Sequence, residues 1–215
     1  MNARIRPRLA FVAGCTLIAA VRAALGSGAP AANSDAATPP CEACHGAHGE
    51  GMAAAHVPRI AGQSADYLKK QLDDYAQGSR DNPIMANFAK ALTEPQRSAL
   101  AARFAAMSAP FIAQSAPPGA AQLARGHQLA FQGDEEERVQ ACNNCHGPDG
   151  VGLVHSAPYL AGQSAEYLAS AIKAFQQGTR KNDAGQLMRS VVEHLNESDV
   201  EAVAGYYGNL GSAMH

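Results

Sequence analysis

The sequence predicts an all-α chain made of two copies of one helical unit, and three observations carry that expectation. The segment IAGQSADYL at 60–68 returns as LAGQSAEYL at 160–168, exactly one hundred residues on. Apolar residues recur at helical spacing behind residues that cap helices. No stretch alternates apolar and polar residues between hairpin turns, as strands would. Two copies suit a duplicated unit, because a stacked solenoid needs three or more repeats. The expected boundaries are a leader at 1–32, a first domain at 33–110, a linker at 111–118 and a second domain at 119–215.

The elements follow in order along the chain. Arg4, Arg6 and Arg8 precede the apolar run Leu9–Val21, and small residues then lead into Ala29–Pro40. This is the layout of a secretory signal peptide, which directs the mature chain to the periplasm. The apolar run is 13 residues long, short of the roughly 20 that span a membrane. Cleavage is expected between Ala23 and Ala32. Val12-Ala13-Gly14-Cys15 also fits a lipoprotein box; lipidation at Cys15 would anchor the chain, and otherwise Cys15 leaves with the leader.

Residues 1–25 hold four arginines and no acid, so Lys+Arg falls from 17 to 13 against 19 Asp+Glu, a mature net charge of −6. So acidic an exported chain is a poor nucleic-acid binder.

Ser64 is placed to cap a helix with Leu68, Leu72 and Tyr75 on one face, ended by Gly78. Ser164 opens its counterpart, with Leu168, Ile172 and Phe175, ended by Gly178. Thr93-Glu94-Pro95-Gln96 reads as a capping box with proline in the first turn, followed by Leu100, Phe104 and Met107 on one face. Asn196 opens the matching last helix, carrying Val200, Val203 and Tyr207. Pro110, Pro117 and Pro118 mark the linker.

Two further segments carry chemistry. CEACHGAHGEGM at 41–52 returns as CNNCHGPDGVGL at 142–153. Cys-x-x-Cys-His is the attachment sequence of c-type haem. Each thiol adds to one porphyrin vinyl group, and the adjacent histidine is carried beneath the iron. Cys41 and Cys44 would hold one haem and Cys142 and Cys145 another, with His45 and His146 as iron ligands.

Two Cys-x-x-Cys pairs can also build one structural zinc site, but that would require them to meet, whereas the repeat puts each pair in its own unit. A redox dithiol is the other alternative. Neither accounts for the histidine that follows both pairs.

A sixth iron ligand should recur once per copy. Met85 follows the Arg80/Asn82 turn and Met188 the Arg180/Asn182 turn, 40 and 42 residues beyond their histidines. That repeat-matched placement marks them as axial ligands, although methionine is ordinarily core filling. Met52 and Met107 lack counterparts and read as structural, and Met214 falls in the last two residues. His56 and His155 lie close behind their motifs, too near the proximal histidine to reach the opposite ring face readily. His48, His127, His194 and His215 have no counterparts.

On these residues the mature chain resembles the dihaem cytochromes c of the cytochrome c4 family. The resemblance rests on Cys-x-x-Cys-His-Gly-x-x-Gly, on Pro-x-Ile/Leu-Ala-Gly-Gln-Ser-Ala-x-Tyr-Leu, and on the Arg/Asn-then-Met segment, each present twice. It implies two tandem class I cytochrome c domains, each wrapped around one covalently attached haem. It also implies that the carbonyls of Pro58 and Pro158 accept a hydrogen bond from the proximal histidines, the alternative being that these prolines only shape the loop. One departure stands out: a helix is expected within Gly119–Gly133 ahead of the second motif, whereas Ser27–Pro40 shows no helical pattern ahead of the first.

Histidine and methionine together leave iron no open position, which suits electron transfer rather than oxygen or peroxide chemistry. The expected function is a periplasmic electron carrier between respiratory-chain components, loaded by an upstream donor and delivering to a membrane-bound cytochrome oxidase. The alternatives are a cytochrome subunit of a periplasmic dehydrogenase, or a dihaem enzyme with one labile sixth ligand.

Residues 33–113 carry net charge −1 and residues 114–215 net −5, including Asp134-Glu135-Glu136-Glu137. That asymmetry would steer one end toward a basic partner, or else the run is a solvated loop.

Overall fold

The computed structural model describes residues 41–109, 117–153 and 157–210. The expected leader with Cys15, the Ser27–Pro40 segment, linker residues 111–116, Pro110, His155, Met214 and His215 lie outside the described residues. Ser34–His215 forms one compact unit. Its described residues are helical and contain no strand, only single antiparallel pairings such as Arg80 with Arg180.

The first repeat comprises α1 (Glu42–His45), α2 (Ala65–Gln77), α3 (Pro83–Ala91) and α4 (Glu94–Ala105). The second comprises α5 (Ala120–Phe131), α6 (Asn143–His146), α7 (Ala165–Gln176), α8 (Leu187–Val192) and α9 (Glu197–Leu210).

The local start signals act as expected. The Ser64 hydroxyl accepts from Tyr67 N–H, and that of Ser164 from Tyr167 N–H, both at 3.0 Å. Thr93 and Gln96 close a reciprocal capping box, and Asn196 Oδ1 accepts from Asp199 N–H at 3.0 Å. Each such cap contributes about 1 kcal/mol. Gly78 ends α2, but Gln177 rather than Gly178 caps α7.

Two expectations need correction. Met107 does not extend the face of α4, which ends at Ala105. Met85 does follow the Arg80/Asn82 turn, but it lies in the first turn of a helix the sequence reading lacked, α3, whose Asn82 cap accepts from Met85 N–H at 3.0 Å. In the second repeat the extra residues form a 3₁₀ turn at Ala184–Gln186 ahead of the shorter α8. Those three residues widen the spacing between matched positions from 100 at Asn82/Asn182 to 103 at Met85/Met188.

The two repeats bury very different amounts of apolar side chain. The principal core lies in the second repeat, where Leu129, Leu168, Phe175, Val192, Val200 and Tyr207 pack together. Helix α5 crosses α9 so closely that a Cβ at Gly126 would overlap the Ala202 carbonyl and Tyr206. Nine residues of α9 are buried, against Ala101 and Phe104 of its counterpart α4. Leu68 and Leu72 are only half-buried. Their stripe faces a cavity rather than a packed core.

Candidate functional site

Each Cys-x-x-Cys-His segment is one helical turn. His45 N–H donates to Cys41 O and His146 N–H to Cys142 O, both at 2.9 Å. A single turn therefore presents two thiols and an imidazole together. The chain then reverses: Gly51 N–H returns to His45 O and Gly152 N–H to His146 O, both at 2.7 Å. A strap follows in each repeat, Val57–Arg59 and Ala157–Tyr159. It lies so close that a Cβ on Gly51 would sit 2.6 Å from Arg59 N, and one on Gly152 2.9 Å from Tyr159 N. Both glycines also have positive φ, 84° and 77°, so any other residue there would strain the turn and displace the strap.

The straps place the carbonyls that orient the histidines. His45 Nδ1 lies 2.9 Å from Pro58 O and His146 Nδ1 3.0 Å from Pro158 O. A carbonyl only accepts, so each Nδ1 carries the proton and each Nε2 keeps its lone pair for a metal. Burial pushes both imidazoles below their ordinary pKa, against the opposing carbonyl bond, so the neutral form is favoured. The role expected for Pro58 and Pro158 is therefore present in both repeats.

All eight residues singled out from the sequence line one cavity of about 1040 Å³. Cys41, Cys44, His45 and Met85 are in the first repeat, and Cys142, Cys145, His146 and Met188 in the second. Single-ligand pockets typically span about 300–1,000 Å³, so this space is at the top of the range and carries two attachment sets. Its walls are apolar: Leu68, Leu72, Leu100 and Phe104 on one side, and Leu160, Ile172, Val192 and Leu195 on the other. Met85 and Met188 are half-buried, and each is preceded by a strongly exposed apolar residue, Ile84 and Leu187.

Burial raises the Cys41 thiol and pushes that of Cys142 up to about 11, so both are protonated thiols rather than thiolates. Among the described residues no three His, Cys, Asp or Glu side chains converge as a metal-binding group. The two cysteine pairs therefore do not meet as a zinc site requires. Donor set, apolar walls and volume fit a covalently held porphyrin with imidazole and thioether donors in reach. His56 also lines the cavity but is exposed, His48 and His127 are exposed, and His194 lies 3.5 Å from Glu193.

Other polar residues meet at the boundary between the repeats. Arg80 donates to Gln71 Oε1 at 2.7 Å and to the Tyr167 hydroxyl at 3.0 Å. Arg180 donates to the Tyr67 hydroxyl and to Gln71 Oε1, both at 3.2 Å. Burial disfavours ionising Tyr167, but Arg80 and Arg180 outweigh it and bring its hydroxyl down to about 8. Tyr75, buried beside them, is pushed up to about 12. The signal in the sequence was the recurrence of arginine, tyrosine and asparagine at matched positions, which does not reveal that one copy's arginine pairs with the other copy's tyrosine.

This helical frame with its paired attachment turns is that of a c-type cytochrome, and a family model described as cytochrome c matches residues 34–103. The chain is 46% identical over 171 residues to the thiosulfate dehydrogenase electron acceptor of Stutzerimonas stutzeri (strain A1501), covering 80% of this chain and 79% of that one. Its fold superposes on reduced recombinant cytochrome c4 from Pseudomonas stutzeri with a TM-score of 0.72 at 32% identity, over 79% of this chain and 93% of the other. A TM-score of 0.72 at 34% identity also relates it to the thiosulfate dehydrogenase TsdBA of Marichromatium purpuratum. There the match covers 78% of this chain but only 36% of the larger protein. The chain belongs to the cytochrome c4 family, the dihaem c-type cytochromes with class I folds. Relatives of this kind are electron-transfer proteins that carry covalently bound haem c.

Proposed function

We propose that the chain is a two-haem electron carrier that accepts electrons from a thiosulfate-oxidising dehydrogenase and passes them to a membrane-bound terminal oxidase. The similarity to a thiosulfate dehydrogenase electron acceptor over four-fifths of both chains carries the donor assignment. The duplicated site supports the haem count. In this reading Cys41 and Cys44 would hold one haem c and Cys142 and Cys145 the other, with His45 and Met85 as donors to the first iron and His146 and Met188 to the second. Each repeat then acts as a cytochrome domain, 33–110 and 119–215, joined by 111–118, after removal of 1–32 on export to the periplasm.

When bound, haem iron supplies a one-electron redox couple. The protein's part is to fix and tune that couple. The Pro58 and Pro158 carbonyls hold each imidazole's orientation and raise its basicity as a donor. The Met85 and Met188 thioethers would supply the second donor to each iron and favour the reduced state relative to stronger donors. The apolar walls exclude water, which disfavours the additional charge of the oxidised centre. No residue is asked to act as acid, base or nucleophile.

The test mixes the haem-loaded mature chain with thiosulfate and a catalytic amount of thiosulfate dehydrogenase, and follows haem reduction optically. Two electrons taken up per chain are expected, with a mass showing two haem adducts. No reduction overturns the donor assignment, and a single adduct overturns the haem count. The larger TsdBA match also suits a subunit held on its dehydrogenase, a reading that stable copurification of the two would favour.

A further inference from the structure

Gln63 and Gln163 are only 6% and 4% exposed, and each pairs its amide with the other repeat, Gln163 Oε1 also accepting from Ser164 N–H at 3.1 Å. Gln63 Oε1 accepts from Tyr159 N–H at 3.0 Å, and its Nε2 donates to Tyr159 O at 2.5 Å. Gln163 Oε1 accepts from Arg59 N–H at 2.8 Å, and its Nε2 donates to Arg59 O at 2.9 Å. Reversing either amide would set donor against donor and acceptor against acceptor, so these orientations are determined.

The positions reached are the consequential part. Tyr159 N–H and Pro158 C=O are the two ends of one planar peptide group. The carbonyl end accepts the hydrogen bond from His146 Nδ1–H at 3.0 Å. The amide end is held by Gln63, 96 residues away. The peptide between Pro58 and Arg59 repeats this with His45 and Gln163. Hydrogen bonds in such a chain polarise one another, so an acceptor on the N–H end makes the C=O end a better acceptor.

We propose that Gln63 and Gln163 are positioning residues that act crosswise, each setting the proximal histidine of the opposite repeat through this shared peptide. The two redox centres are thereby coupled through their proximal sides. This rests on His45 and His146 being iron ligands.

The experiment measures the midpoint of each haem separately in the haem-loaded chain, together with the proton resonance of each histidine Nδ1–H. Gln63→Leu removes the acceptor at Tyr159. It should weaken the His146 bond, leave the imidazole a poorer donor and raise the midpoint of the second haem while the first stays in place. An effect of about threefold in the one-electron equilibrium constant corresponds to ~30 mV at 59 mV per tenfold change. The His146 Nδ1–H resonance should move upfield and that of His45 should not. Gln163→Leu should reverse the pattern. Gln63→Glu, held protonated at low pH, keeps an acceptor toward Tyr159 N–H and a donor toward Tyr159 O and should keep the His146 resonance downfield; it also serves if the leucine variant does not fold.

Equal shifts at both haems, a shift only in the substituted repeat, or no shift overturns the crosswise role. Missing histidine ligation in the unsubstituted chain would instead overturn the axial assignment, so the two failures are distinguishable.

Discussion

Arg125 bridges two acidic side chains of the second repeat. Its Nε lies 2.7 Å from Asp199 Oδ1 on α9, and its Nη1 2.7 Å from Asp134 Oδ2 in the loop after α5. The Asp199 side chain is only 3% exposed, and its Oδ2 has no hydrogen-bond partner among the described residues. Arg125→Ala would leave a buried carboxylate without its cation. Breaking a buried pair from one side costs about 3–5 kcal/mol. Asp199 sits in the first turn of α9, where the helix N-terminus returns roughly 0.3–1 kcal/mol. The expected loss is therefore about 2–4 kcal/mol, or a fall in Tm of roughly 5–15 °C at 2–4 °C per kcal/mol for a chain of this size. The assay is urea denaturation followed by far-ultraviolet circular dichroism, with Asp199→Asn and the double variant alongside. Removing the charge as well should restore most of the loss, because the penalty lies in the stranded carboxylate. A loss below about 1 kcal/mol, or a double variant no more stable than Arg125→Ala, would show that Asp199 is not stranded by losing Arg125.

Three further outcomes follow from the geometry. Met85→Ala and Met188→Ala should each abolish half of the methionine–iron charge-transfer absorbance and leave one high-spin haem; a full-strength band in either variant would remove that residue as a ligand. Asp73 joins α2 to α4 through Arg97 at 2.6 Å and Lys69 at 2.8 Å. Its desolvation raises its pKa, but the two cations outweigh this and hold the carboxyl below its ordinary 3.8. Its contribution is therefore complete above the unfolded value and lost as pH falls through the lower folded one. Asp73→Asn should cost about 0.5–1 kcal/mol at neutral pH and flatten the acid limb of urea midpoints measured from neutral pH down to about pH 3. Asp134 is committed to Arg125, which leaves Glu135–Glu137 exposed. Replacing those three with glutamine should slow electron transfer to a basic partner severalfold at low salt and little at high salt. An unchanged rate at low salt would dismiss steering by this loop.

The attachment turns were readable because everything they require is local. The hydrogen bond from His45 N–H to Cys41 O spans four residues, and the caps at Ser64, Thr93 and Ser164 span three. Residue type at such spacing nearly dictates the geometry. Helix α3 was missed because Asn82 and Pro83 look like a turn; the same Asn-Pro pair is a cap and a first helical residue, and only the chain beyond it decides which. Met107 was misplaced for the converse reason, an apolar period running past the point where α4 stops. The half-buried stripe of Leu68 and Leu72 was legible as a stripe, but periodicity does not distinguish a face that meets protein from one that meets a cofactor space.

Residue order alone establishes that a helical unit occurs twice, that each copy carries two thiols and an imidazole on one turn, and that a methionine recurs 40 and 42 residues beyond those histidines. The tertiary structure decided which buried polar groups meet across the repeats: Gln63 with Tyr159, Gln163 with Arg59, Arg80 with Tyr167. The physical reason is range. A helix start or an attachment turn depends on atoms within a few bonds along the chain. A glutamine paired with a peptide about a hundred residues away depends on how two surfaces close over one another, and neither segment alone carries that information.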